Sequence, residues 1–108
     1  MKKVVATPNA PSAIGPYSQG IEVNGMVFTS GQIAIDPKTS ELIKGGVEDE
    51  THMVMKNLAA VLAAAGTDFD HVVKAGIFLQ SMDDFAAVNT IYESYLNESA
   101  GYPAMSKA

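Results

Sequence analysis

Residues Tyr17 to Ile35, YSQGIEVNGMVFTSGQIAI, hold two alternating runs joined by Asn24-Gly25. A two-residue type I′ turn needs positive φ at both central positions, and Asn-Gly supplies it, so the stretch predicts a β-hairpin. The turn also sets the register: Val23 opposite Met26, Ile21 opposite Phe28, Gln19 opposite Ser30 and Tyr17 opposite Gln32. Because side chains alternate with a period of two, Tyr17, Gln19, Ser30 and Gln32 share a face with the apolar stripe Ile21, Val23, Met26 and Phe28. Hydroxyl and amide groups thus gather at one end of an apolar face. Gly31 lies beside them, where a missing side chain suits a bulge or the approach of a ligand to backbone amides.

The chain around this hairpin is 108 residues long, which predicts one domain over residues 1–108. Its 47% hydrophobic and 18% charged content is that of an ordinary globular protein. No run is long and apolar enough for a membrane span, and the basic start Met1-Lys2-Lys3 leads into no sustained apolar segment. The sequence therefore predicts no secretory leader, no membrane association and a cytoplasmic location. Without cysteine there is no thiolate nucleophile, disulfide or Cys-based zinc site, and His52 and His71 stand alone, so no metal site is expected. A net charge of −5 argues against a surface that tracks nucleic-acid phosphates. All seven basic residues are lysines, so the side chain best suited to gripping a carboxylate bidentately is missing.

Taken in order, Val4-Val5-Ala6 reads as a short strand, and Pro8, Pro11, Gly15 and Pro16 keep the lead-in to Tyr17 extended. After the hairpin, Asp36-Pro37-Lys38-Thr39 supplies a turn in which Asp36 caps its own backbone. From Val47 the period changes. Thr51, Val54, Met55, Leu58, Val61, Leu62 and Ala65 recur at helical spacing, Glu48, Asp49 and Glu50 suit the first turn, and Gly66 suits the C′ position. His71 to Gln80 is β-rich and apolar on both sides, which predicts a central strand. Ser81 opens a second helix as its cap, with Asp84 completing a capping box, and Phe85, Val88, Tyr92, Tyr95 and Leu96 form its buried stripe. Asn89 flanks that stripe, within reach of a core edge or a cleft. Residues from Tyr102 onward read as the beginning of another strand. The order implies an α+β domain with helices on one face of a mixed sheet.

The blocks NAPSAIGPYSQG, TSGQIAIDPKT, NLAAVLAAAG, VVKAGIFL, DDFAAVNTIYESY and YPA follow one another nearly without gaps. Together they resemble the RidA family of small cytoplasmic proteins, also called YjgF or L-PSP. The resemblance implies a chorismate-mutase-like α+β fold, with two helices packed on one face of a mixed sheet, assembled as a homotrimer with ligand clefts between subunits. It implies hydrolysis of reactive 2-imino or enamine acids to 2-oxo acids and ammonia, without metal or organic cofactor. It carries over Tyr17 as the catalytic hydroxyl, Ser30 as a second hydrogen-bond donor in the cleft, the Gly31 amide as the contact to a ligand oxygen, and Asn89 as part of the wall.

The same resemblance brings two departures. The family pattern aromatic-Pro-Ala-Arg-Ser reads here Tyr102-Pro103-Ala104-Met105-Ser106, with Met105 where the carboxylate-binding arginine belongs. The family chain also continues for one further connection and a long strand carrying a water-orienting Glu, so residues 1–108 read as a C-terminally short member. In an extended strand Met105 and Lys107 lie on the same face, and Lys107 is a candidate to bring a point charge to the cleft. A second reading stands beside the deaminase, that of a non-catalytic regulatory protein binding small carboxylates in the same cleft. A ribonuclease reading fits poorly with the acidic chain and the isolated histidines.

Overall fold

Positive φ at two successive residues, Asn24 (52°) and Gly25 (76°), closes the hairpin with the turn that Asn-Gly favours. The computed structural model describes residues 1–108. Strands β1 (Lys3–Val5), β2 (Gly20–Val23) and β3 (Met26–Thr29) form an antiparallel sheet in that order, with Val23 opposite Met26 and Ile21 opposite Phe28 as the turn requires. The Ser30 N–H donates to the Gln19 carbonyl at 2.9 Å and carries the pairing one step past the ladder. The expected Tyr17–Gln32 pair does not form. Flanked by Gly15 and Pro16, the chain bends there, and the Tyr17 N–H returns to the Gly15 carbonyl at 2.8 Å.

Helix α1 (Val47–Ala64) packs on the sheet through a glycine. A Cβ on Gly20 would lie 3.2 Å from Val61 Cγ1 and 3.3 Å from Val5 Cβ, so the helix rests on the face that Val5 and Gly20 share. Val61, Val5 and Ala10 form the buried cluster there, with Ala60 and Ala65 against it. The apolar stripe of the hairpin points the other way. Val4, Met26 and Phe28 on that opposite face are each more than half exposed. Helix α1 begins at Gly46 without a side-chain cap, relying on Glu48, Asp49 and Glu50 at its positive end. It ends as its sequence predicts. Gly66 has φ 82°, its N–H donates to Ala63 O and the Thr67 N–H to Leu62 O, which is a Schellman closure.

Strands β4 (Ile35–Asp36) and β5 (Glu41–Leu42) make a small hairpin of their own, in which Asp36 Oδ1 accepts from the Lys38 N–H at 2.8 Å. The remaining elements are β6 (Lys74–Ile77), α2 (Phe85–Ser94) and β7 (Ala104–Lys107), and β6 pairs with β7 in parallel, with α2 in the crossover between them. The β-rich run 71–80 yields a shorter strand than expected, because Asp68 caps a 3-10 turn at Phe69–His71 first. Nor is β6 central within the chain. It pairs only with β7, leaving Val73 and Phe78 exposed at its two ends. Ser81 Oγ does accept an N–H, from Asp83, but it caps a 3-10 turn at Met82–Asp84; the Asp84 box is not made and α2 follows. Helices α1 and α2 pack on each other, giving an α+β architecture with both senses of strand pairing. No helix is long and apolar enough to cross a membrane.

Candidate functional site

Beside the start of the hairpin two hollows share the side chains of Tyr17 and Gln19. The larger, about 470 Å³, opens between β1 and the lead-in loop; the smaller and more enclosed, about 260 Å³, is walled by Pro11 and Ser12 on one side and by Gly31 to Ile33 on the other. Neither is lined by a charged side chain. Tyr17 is half exposed and stands between them, so its phenol is accessible from both.

Of the residues singled out from sequence, Tyr17 and Gly31 meet in the smaller hollow. Gly31 has no need of glycine's backbone freedom, since its φ lies outside the left-handed region, and a Cβ there would meet nothing within 4 Å. What the glycine leaves open is the space a Cβ would take. The N–H groups of Gly31, Gln32 and Ile33 make no hydrogen bond within the chain. Successive free amides of this kind suit an anionic oxygen.

Ser30 takes a different role from the one expected. Its hydroxyl donates to the Ser18 carbonyl, and its proton is thereby committed to tying the base of the hairpin together rather than to the cleft. Asn89 is half-buried on α2, next to buried Val88. Met105 is half-buried on β7, and Lys107 two residues on shares its face, with Nζ 4.8 Å from the centroid of the Phe85 ring. That cation–π contact draws the ammonium to α2. Within one chain, Ser30, Asn89, Met105 and Lys107 line neither hollow. No group of three or more His, Cys, Asp or Glu side chains comes together as a metal site would need. His52 Nδ1 is 2.8 Å from the Tyr95 hydroxyl and His71 Nδ1 is 2.9 Å from Asp68 Oδ1, so the histidines remain apart.

Two buried amides support the hollow, of which the sequence reading placed Gln19 on the polar face and missed Asn57. Gln19 is 6% exposed and Asn57 1% exposed, and each bonds to backbone in the hollow's walls. A signal was present for Asn57. It falls three residues after Val54 and four before Val61, a polar residue at a core position of a helix, where a buried amide must find partners.

The family model described as Endoribonuclease L-PSP matches residues 7–108, nearly the whole chain and all of the smaller hollow. The chain belongs to the L-PSP family. Among curated relatives, a RutC family protein of Pyrococcus horikoshii is 48% identical over 99 residues, covering 92% of this chain and 79% of its own. The mouse protein named 2-iminobutanoate/2-iminopropanoate deaminase is 46% identical over 99 residues, covering 92% of this chain and 73% of its own. Among solved structures, a Rid family protein of unknown function from Yersinia pestis superposes with a TM-score of 0.95 at 45% identity, over 100% of this chain and 85% of the other. The L-PSP fold is thus shared throughout, and its Tyr17–Gly31 hollow lies within the matched residues.

Proposed function

We propose that this L-PSP protein binds small 2-imino and 2-oxo carboxylates in the hollow between Tyr17 and Gly31, and hydrolyses the imines to 2-oxo acids and ammonia. The observation that carries this reading is the run of three unpaired amides, Gly31 to Ile33, in residues that line the same uncharged hollow as the Tyr17 side chain. The amides take the substrate carboxylate, as a backbone nest does. Tyr17 donates to the imine nitrogen, which makes the imine carbon more electrophilic. Water adds to that carbon and returns one proton to the Tyr17 phenolate, giving a carbinolamine with an NH2 group; the hydroxyl proton then passes to that nitrogen as the C–N bond breaks, leaving the 2-oxo acid and ammonia. Positioning supplies much of the acceleration, because the imine is already reactive.

The assembly belongs to the same proposal. The face formed by Val4, Met26 and Phe28 turns away from α1 and stays uncovered in one chain, and an apolar face of this kind favours burial against further copies. In a homotrimer that buries it, Asn89 and Met105, which line neither hollow of their own chain, are the residues proposed to approach the hollow of another copy, while Lys107 stays on Phe85.

The test is to generate 2-iminobutanoate with a threonine dehydratase and follow its decay. Decay faster than in buffer, slowed by Tyr17→Phe, is the expected result; decay no faster than in buffer would overturn hydrolysis. The chain contains no arginine, and that observation favours the second reading, a non-catalytic carboxylate-binding protein. Saturable binding of 2-oxobutanoate without turnover of the imine is its signature.

A further inference from the structure

The walls of the smaller hollow are irregular backbone, and irregular backbone must find hydrogen-bond partners outside any helix or ladder. Two buried side-chain amides supply them. Gln19, at the foot of β2, accepts from the Thr7 N–H at 2.6 Å, and its two Nε2 hydrogens are shared among the carbonyls of Thr7 (3.0 Å), Ala10 (3.2 Å) and Pro11 (2.7 Å). One carboxamide thus holds the proline-rich lead-in, whose Pro11 and Ser12 form one wall. Asn57, in the middle of α1, donates to the carbonyls of Ile33 (3.2 Å) and Ile35 (2.9 Å), and so holds the opposite wall against the helix. The Ser30 hydroxyl bonded to Ser18 joins the two walls at their base.

We infer that Gln19 and Asn57 are positioning residues, a pair of amide clamps that fix the two walls of the hollow at the separation a small carboxylate needs. The inference rests on the reading of that hollow as the 2-imino-acid site. Neither residue need touch the ligand. Burying an amide is costly unless it is bonded, and an apolar side chain at either position would leave the backbone groups it now holds without a partner. What an apolar side chain lacks is a hold on backbone, and without that hold each wall must be ordered at the moment of binding, at the expense of affinity. The geometry also separates the two roles: Gln19 reaches only residues 7–11, Asn57 only residues 33–35.

The experiment compares the full-length protein with Gln19→Met and Asn57→Asp, which keep approximate shape but remove the donors. Amide hydrogen exchange, the KM and kcat for 2-iminobutanoate and the Kd of 2-oxobutanoate are measured on each. Exchange is expected to accelerate at the Thr7 and Asn9 amides in the first variant and at the Ile35 amide in the second, the wall amides that are hydrogen-bonded in the wild type, with the 20–29 hairpin unchanged. KM and Kd should rise on the order of tenfold and kcat should fall with them, since the walls position substrate and positioning supplies much of the acceleration. A purely structural role would move thermal stability and leave KM and Kd alone, and that result overturns the inference, as does unchanged exchange in both walls. If Asn57→Asp fails to fold, Gln19→Met decides on the same criteria. Wild-type protein that neither hydrolyses the imine nor binds 2-oxobutanoate defeats the functional reading, and wall-specific exchange then judges the clamps by themselves.

Discussion

Gly20 on β2 and Val61 on α1 approach so closely that a Cβ on the glycine would stand 3.2 Å from Val61 Cγ1, with the Phe28 carbonyl oxygen at 3.4 Å on another side. The glycine lets the helix descend onto the sheet, and Val61 is fully buried as a result. Gly20→Ala should therefore destabilise the fold by about 1–2 kcal/mol through overpacking. Urea unfolding of the variant measures it; a midpoint at or above that of the wild type would show that α1 can lift without loss.

Gly31 presents the opposite case, a glycine with open space around it and no left-handed φ. Gly31→Ala should leave stability unchanged or raise it by up to about 1 kcal/mol, through the entropy of the unfolded chain. In the proposed site the added methyl takes up space at the wall of the hollow, so 2-oxobutanoate affinity should drop on the order of tenfold. Calorimetric titration alongside thermal melts separates the two effects. Retained affinity would remove Gly31 from the ligand contact.

Tyr92 is nearly buried on α2 and its hydroxyl has no partner, and burial pushes its pKa above the usual phenol value. The raised pKa means that above about pH 10 the unfolded chain gives up this proton more readily than the folded one, so stability falls as pH rises through that range. Tyr92→Phe should remove this part of the alkaline loss. It should also stabilise the protein at neutral pH by about 1 kcal/mol, because an unsatisfied buried hydroxyl is deleted. Denaturation midpoints of both proteins between pH 8 and 11 check this; parallel curves would place the hydroxyl in contact with water.

Ser40 closes the β4–β5 loop with φ 62°, a left-handed conformation that costs a serine more than a glycine. Ser40→Gly should raise stability by about 0.5–1 kcal/mol. A higher melting temperature supports the strain, and a lower one would mean that the serine side chain holds the loop.

Lys107 lies over the Phe85 ring and away from both hollows of its own chain. Lys107→Ala should cost no more than about 1 kcal/mol of stability and leave the Kd of 2-oxobutanoate within about twofold. A large loss of affinity would instead place this ammonium at the hollow of a neighbouring copy.

Local rules set much of this architecture from sequence alone. Asn24-Gly25 dictates its turn because few other pairs adopt positive φ twice, and the Val23–Met26 and Ile21–Phe28 register follows from counting outward. The helical spacing from Thr51 to Ala65 and the glycine at position 66 determine α1 and its closure for the same reason, since each depends on neighbours a few residues away. The register also pointed to the end of the hairpin where Tyr17 and Gly31 lie, although the Tyr17–Gln32 pairing it implied does not form.

Tertiary structure decided what counting could not reach. The hairpin carries apolar residues on the Ile21–Phe28 face, yet α1 takes the other face, where Gly20 has no side chain to hold it off. The hydroxyl of Ser30 found Ser18 across the strand pair, and the ammonium of Lys107 found Phe85 across the crossover. Above all, Gln19 and Asn57 became the supports of the hollow's walls. Their bonds run between segments 8 to 24 residues apart, and a contact at that separation exists only once the core has brought both ends of it together.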